Sequence, residues 1–262
     1  MLTDNTMKIL SIDIGGSHIK ATVLNTDGTF LQDYERLPTP SPATPGKILD
    51  VIKEVANRFH SYDRIAAGFP GFVKDGVVKT APNLGTKQWV DFDLQKKLQQ
   101  LLGKPALVIN DADLQGISVV SGKGVEMMVT LGTGFGTALL NNGMLVPHLE
   151  FAHHPVKGKK DYDQYIGEAE LLRIGEKKWN KRMKRVIEIL KVVFNYDRLY
   201  ISGGNAKILN FKLDDNIVIA GNKDGIKGGA RLWIQQNIIE NQKLLSEQEK
   251  AGAPLASPDL GT

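Results

Sequence analysis

The sequence predicts an α/β protein of two similar domains facing one cleft. Three observations predict it. Residues 9–24 read as two apolar strands joined by a glycine turn with an aspartate at its mouth. Residues 127–140 nearly repeat that device, and strands alternate with amphipathic helices around both. A chain of 262 residues, 42% hydrophobic and 24% charged, is long enough for two modest cores. The absence of cysteine excludes disulfides, cysteine nucleophiles and cysteine zinc sites, and fits a reducing compartment. Residues 1–5 lack a basic region before an apolar core, and no apolar run reaches membrane-span length, so a cytoplasmic chain without membrane partners is expected. A net charge of +4 suits an anionic substrate and is too weak to argue for nucleic acid.

In the first hairpin, Gly15 and Gly16 leave no Cβ to obstruct a phosphate, so backbone N–H groups can face anionic oxygens. Ser17 adds a hydroxyl, and Asp13 can hold Mg²⁺ or its water shell. A plain tight turn has the same spacing. The turn 25–28 leads to an expected third strand over 29–35, and a proline-rich link, 38–45, precedes a helix. Its buried face is Ile48, Val51, Ile52, Val55 and Phe59. Residues 64–69 read as a buried strand, 89–102 contain a helix, and 105–109 form a short buried strand. The second half should place strands near 126–132, 135–140 and 143–146, then a helical stretch over about 165–193. Met183, Val186, Ile187, Leu190, Val193 and Phe194 form the apolar stripe of that stretch. Strands at 199–201 and 216–220 and a closing helix over 228–250 follow, and 251–262 is expected to fray. The boundary falls near 112–122, giving domains 1–115 and 116–262, with the last helix free to pack back on the first.

The second hairpin carries Gly132, Thr133, Gly134 and Gly136, which miss the G-x-G-x-x-G spacing of dinucleotide folds, and no Walker-type loop occurs. The strand at 106–109 runs into Asn110-Asp111, at the end of a strand where open α/β sheets meet ligands. Asp111 is the candidate general base for phosphorylating an alcohol, and a helix cap by Asn110 or Asp111 is the structural alternative. Glu150 and His153 can together hydrogen-bond adjacent sugar hydroxyls, and a plain surface loop fits the same composition. A metal trio of His148, His153 and His154 is disfavoured, because no carboxylate partner sits at a recognised spacing and adjacent side chains on extended backbone point apart. Residues 68–71 can bring backbone close to a ligand, Asn83 places an amide in a turn, and Gly203-Gly204 end a buried strand where the far end of a phosphoryl donor could lie. Two basic groups, Lys157/Lys159/Lys160 and Lys177/Lys178/Lys181/Arg182/Lys184/Arg185, read as solvated surface or as a polyanion track.

Taken in order, Asp13-Ile14-Gly15-Gly16-Ser17, Asn110-Asp111, Leu131-Gly132-Thr133-Gly134-Phe135-Gly136-Thr137 and Ile201-Ser202-Gly203-Gly204 resemble the ROK family of sugar kinases, and especially its polyphosphate glucokinase branch. That resemblance spans nearly the whole chain and implies two ribonuclease-H-like domains of actin/hexokinase type, with mixed sheets around an interdomain cleft. It implies Asp111 as base, Asn83, Asn110, Glu150 and His153 on the sugar, and Asp13 on Mg²⁺. Gly15, Gly16, Ser17, Gly132, Thr133, Gly134, Gly203 and Gly204 would hold phosphate. The expected reaction moves a phosphoryl group from polyphosphate, ATP or both to the 6-hydroxyl of glucose, in a homodimer. Mannose, fructose or N-acetylglucosamine as acceptor, a non-catalytic ROK-type sugar sensor, and a chaperone- or actin-like ATPase are the alternatives. ROK-type repressors carry an added helix-turn-helix segment, for which no room is expected ahead of the first hairpin. Two departures stand out. Ala152 replaces the small flexible residue of the family's Glu-x-Gly-His, and the family's cysteine-rich zinc motif cannot form, so no structural zinc is expected. A further sugar-contacting glutamate would be Glu168 or Glu170.

Overall fold

The computed structural model describes residues 7–85, 87–221 and 225–250, and of Asn83, Glu249 and Lys250 the backbone alone. The tail expected to fray, 251–262, lies outside the described residues. The first half runs β1 (Ile9–Ile14), β2 (His18–Leu24), β3 (Glu35–Pro38), α1 (Pro45–Ala56) and β4 (Arg64–Phe69). A three-stranded meander, β5 (Val73–Lys74), β6 (Val77–Val78) and β7 (Phe92–Asp93), then leads to α2 (Leu94–Leu102), β8 (Ala106–Asn110) and α3 (Asp111–Val119). The second half runs β9 (Val125–Leu131), β10 (Phe135–Asn141), β11 (Met144–Leu145), the hairpin β12 (Pro155–Lys157) and β13 (Lys160–Asp161), and α4 (Tyr162–Ile166). It closes with α5 (Glu168–Ile174), α6 (Glu176–Phe194), β14 (Arg198–Ser202), β15 (Ile217–Ile219) and α7 (Gly228–Lys250).

Both large sheets obey one plan. The first has the order β3-β2-β1-β4-β8 and the second β11-β10-β9-β14-β15. In each, the leading strands pair antiparallel and the last two join parallel. This is the mixed-sheet, ribonuclease-H-like repeat of actin/hexokinase-type proteins. The central strands β1 and β4 are buried on both faces, which their near-continuous apolar sequences allow. Each half has its own core. Trp89 anchors the first, its indole N–H donating to the Ala43 carbonyl at 2.8 Å, and Trp179 anchors the second through the Ile166 carbonyl at 2.7 Å. A third core, including Ile9, Ala66, Leu114, Met128, Leu140 and Trp233, joins the halves beneath α3 and α7. There α7 lies on β1 and β4, with the Trp233 indole on the Ile65 carbonyl, while Gln235 reaches Gly143 and Leu145 of the second half. Among the described residues, no helix is long and apolar enough to cross a membrane.

Two elements differ from expectation for local reasons. The third strand is Glu35–Pro38, not 29–35, because the Thr29 N–H is taken by the Asn25 and Asp27 side chains. Only Phe30 bridges Leu24 before the ladder starts. The helix expected within 89–102 is found there, beginning at Leu94, where Asp93 caps it by accepting from the Lys96 N–H at 2.9 Å. The stretch over 165–193 is three helices, broken at Gly167 and Gly175, the latter at φ +76°. A Cβ on Gly167 would lie 2.5 Å from the Asp163 carbonyl oxygen, so only glycine lets α4 and α5 meet there.

Candidate active site

The two glycine turns and the N-terminus of α3 open onto a cleft of about 900 Å³. In the β1–β2 turn the Gly15 N–H closes the hairpin on the His18 carbonyl at 3.0 Å, and Thr39 Oγ1 donates to the Gly15 carbonyl at 2.6 Å. Gly16 and Ser17, which are exposed, therefore present the turn to the cleft. In the β9–β10 turn the Gly132 N–H is likewise used, on the Gly134 carbonyl at 3.1 Å, and Gly132, Thr133 and Gly134 all border the cavity. A Cβ at 134 would lie 2.9 Å from Asp163 Oδ1, the oxygen that accepts the Phe135 N–H at 2.7 Å. Gly203 borders the cavity at φ +95°, whereas Gly15 and Gly204 do not line it.

Asp111 is the first residue of α3. Asn110, 7% exposed, is its N-cap, accepting from the N–H groups of Ala112 at 2.8 Å and Asp113 at 3.2 Å while its amide donates to the Gly71 carbonyl. The cap alternative thus holds for Asn110, and it leaves the Asp111 carboxylate facing the cleft, where it accepts from the Ala112 N–H at 2.8 Å. Burial, then the charges of Asp13 and Asp113, push the Asp111 carboxyl up to about 7, against the opposing pull of the Ala112 N–H. A carboxyl titrating there is suited to taking a proton near neutrality.

Glu150 and His153 border the same cavity, with His153 Nε2 3.7 Å from Glu150 Oε2 and Nδ1 3.6 Å from Asp161 Oδ2. Glu150 precedes and His153 ends the short helical turn Phe151–His153, in which Ala152 has no positive φ, so alanine stands in for glycine there without backbone strain. The three histidines diverge. His148 turns to Asp113, while the His154 ring stacks on Phe151 at 5.4 Å. Asn83 lies in the turn Pro82–Leu84, and its side chain is outside the described residues.

Neither Glu168 nor Glu170 borders the cavity. Glu168 is exposed at the start of α5. The buried Glu170 carboxylate is held by Arg173 at 2.6 Å, Arg182 at 2.6 Å and Lys160 at 3.1 Å, and the Arg173 hydrogen bond leads in keeping it below the usual carboxylate range. Lys160 and Arg182, two members of the basic groups, are therefore engaged within the second half. Glu170→Gln should leave three cations facing a neutral amide, costing about 1–3 kcal/mol of stability. Hexose affinity should not change. Thermal unfolding alongside sugar titration checks this, and a selective loss of sugar affinity would contradict the structural role.

Asp163 and Lys20 are among the cavity-lining groups not singled out from sequence. Asp163 lies 28 residues beyond the glycine turn it braces. Lys20 sits directly across the hairpin from Asp13 and donates to its Oδ2 at 3.1 Å. Hairpin pairing alone would have found Lys20, since cross-strand partners share a face. Among the described residues, no group of three or more histidines and carboxylates could hold a metal by itself. A single carboxylate at the mouth of a phosphate-sized cleft does fit Mg²⁺, which keeps most of its waters and takes its remaining oxygens from phosphates.

The ROK family model matches residues 9–150. The polyphosphate glucokinase of Mycobacterium tuberculosis (strain ATCC 25618 / H37Rv) is 34% identical over 203 residues, covering 74% of this chain and 76% of that protein. That of Mycobacterium leprae (strain TN) is 33% identical over 202 residues, covering 74% and 62%. The inorganic polyphosphate/ATP-glucomannokinase of Arthrobacter sp. strain KM superposes with a TM-score of 0.79 at 28% identity, over 88% of this chain and 100% of that one. A Streptomyces griseus ROK family glucokinase, solved with glucose and AMPPNP, shares the fold at a TM-score of 0.70 and 21% identity, over 86% and 98%. With the repeated sheet plan and both glycine turns in place, these matches establish that the chain belongs to the ROK family.

Proposed function

We propose that this protein is a hexose kinase that transfers a terminal phosphoryl group from polyphosphate, ATP or both to the 6-hydroxyl of glucose. The observation that carries the reading is Asp111, a carboxylate raised to about 7 and facing a cleft bordered by both glycine turns and by Glu150 and His153. The polyphosphate glucokinase relatives and the glucomannokinase fold support glucose as acceptor and leave both donors in play.

Glu150 accepts hydrogen bonds from sugar hydroxyls and His153 donates or accepts, so the pair fixes the ring and points one hydroxyl at Asp111. Asp111 accepts that proton as the new O–P bond forms and the bond to the donor's leaving oxygen breaks. N–H groups of Gly16, Ser17, Thr133 and Gly134, with the Ser17 and Thr133 hydroxyls, would meet the phosphoryl oxygens. Asp13 would hold Mg²⁺, which supplies charge neutralisation of the donor phosphates. Lys20 would then be released from Asp13 toward phosphate. Approach of the two halves would exclude water, whose attack on the donor competes with transfer.

Calorimetric titration of glucose in the absence of any donor tests the reading against a nucleotide-driven ATPase. Saturable glucose binding is the expected result. No hexose binding, together with sugar-independent ATP hydrolysis, would contradict it.

A further inference from the structure

One buried imidazole plays no part in the proposed reaction. His148 lies in the loop after β11, its side chain 8% exposed, with Nδ1 2.8 Å from Asp113 Oδ2 and Nε2 3.5 Å from Glu150 Oε1. Asp113, its side chain 4% exposed, stands on the first turn of α3, two positions after Asp111. Phe72, from the first half, stacks on the ring at 5.7 Å and 21°. The ring is thus held against the first half and faces one carboxylate at each nitrogen.

A neutral imidazole carries one N–H and can donate to only one carboxylate, leaving the other opposite a lone pair. An imidazolium donates at both nitrogens and offsets the repulsion between the two carboxylates. We propose that His148 is a positioning residue, an imidazolium bridge from Asp113 to Glu150 that fixes the sugar-facing carboxylate relative to the helix carrying Asp111. The proposal rests on Glu150 as a sugar ligand. The groups facing the bridge are Asp113 from α3 and Glu150 from the same loop; His153, with Asp161 behind it, faces the other Glu150 oxygen. Burial of the ring opposes its charge, but the hydrogen bonds and charges of Asp113 and Glu150 prevail, raising His148 from 6.5 to about 9, while burial lifts the Asp113 carboxyl above its ordinary value against the pull of the ring.

NMR titration of the His148 ring and glucose titration of the same intact protein test the bridge. The wild-type ring is expected to stay protonated to about pH 8, with glucose affinity flat over about pH 6–8. His148→Gln should weaken glucose binding about tenfold, with kcat at saturating glucose within about threefold of wild type. Combined with Glu150→Gln, it should add less than about twofold, the coupling expected of residues acting as a unit. Asp113→Asn keeps the shape but removes one charge, so it should make glucose affinity fall between about pH 6 and 8 as the ring deprotonates. This second variant reads the bridge even if His148→Gln does not fold. A wild-type ring titrating near its ordinary value, or an unchanged glucose affinity in His148→Gln, overturns the bridge and leaves the kinase reading intact. Wild-type protein that binds no glucose overturns both the kinase reading and the sugar-positioning role.

Discussion

Asp111→Asn is expected to lower kcat by about 10²–10⁴-fold while the glucose dissociation constant stays within about threefold. The amide preserves the shape of the side chain and can still accept from the Ala112 N–H, so the first turn of α3 is kept. Only the ability to take a proton is lost. In the wild type, kcat/KM should rise with pH through about 7 and level off above it, because the carboxyl must be ionised to act. The variant's residual activity should lack that limb. Stability should move the other way. A carboxyl raised from 3.8 to about 7 in the folded protein binds its proton more tightly folded than unfolded. Its contribution is therefore fully present below the unfolded value and is lost as pH rises through about 7. Replacing it by asparagine should raise the thermal midpoint at pH 8 by about 2–4 °C for each kcal/mol relieved, and that advantage should shrink toward pH 4. Near-normal turnover in Asp111→Asn would remove it as the base, and lower stability at pH 8 would show that its burial is not strained.

Gly203→Ala is the second large effect. Gly203 has φ +95°, a conformation that an L side chain adopts only under strain, and an added Cβ would lie 2.2 Å from the Leu131 carbonyl oxygen and 2.5 Å from its nitrogen. Those are backbone atoms of β9 at the point where it enters the Gly132 turn, so they cannot yield as a flexible side-chain tip would. The turn must shift instead. We expect a loss of about 2–4 kcal/mol in stability and a rise of about 10²-fold in donor KM at fixed glucose, measured by thermal unfolding and initial rates. Gly204→Ala is the steric control, because nothing lies within 4 Å of a Cβ there, and its stability should stay within about 0.5 kcal/mol of wild type. Equal destabilisation in the two variants would show that crowding against β9 is not the cause.

These effects concentrate on residues whose types could be read in the sequence, and the reasons are physical. That Asp13, Gly16, Gly132 and Asp111 would border one cleft was legible, because a glycine turn between apolar strands, and a carboxylate at a strand end, are local signals. So was the α7 segment, whose start at Gly228 falls where a closing helix was expected. The third strand was not, since side-chain bonds from Asn25 and Asp27 to the Thr29 N–H displaced it by several residues. The breaks at Gly167 and Gly175 depend on how α4, α5 and α6 meet. Glu170 looked like any glutamate near a sugar loop until Lys160, Arg173 and Arg182 were found around it. The His148 bridge joins positions 35 residues apart in sequence. It depends on a loop of the second half reaching a helix that continues from the first, and no local spacing encodes that.

The most direct measurement is phosphorus NMR of the intact protein with glucose and Mg²⁺, supplied in parallel with polyphosphate or with ATP, and with Asp111→Asn as control. Glucose 6-phosphate is expected from at least one donor in the wild type and almost none in the variant. Failure to form a hexose 6-phosphate from either donor, or equal yields in wild type and variant, would contradict the proposed reaction.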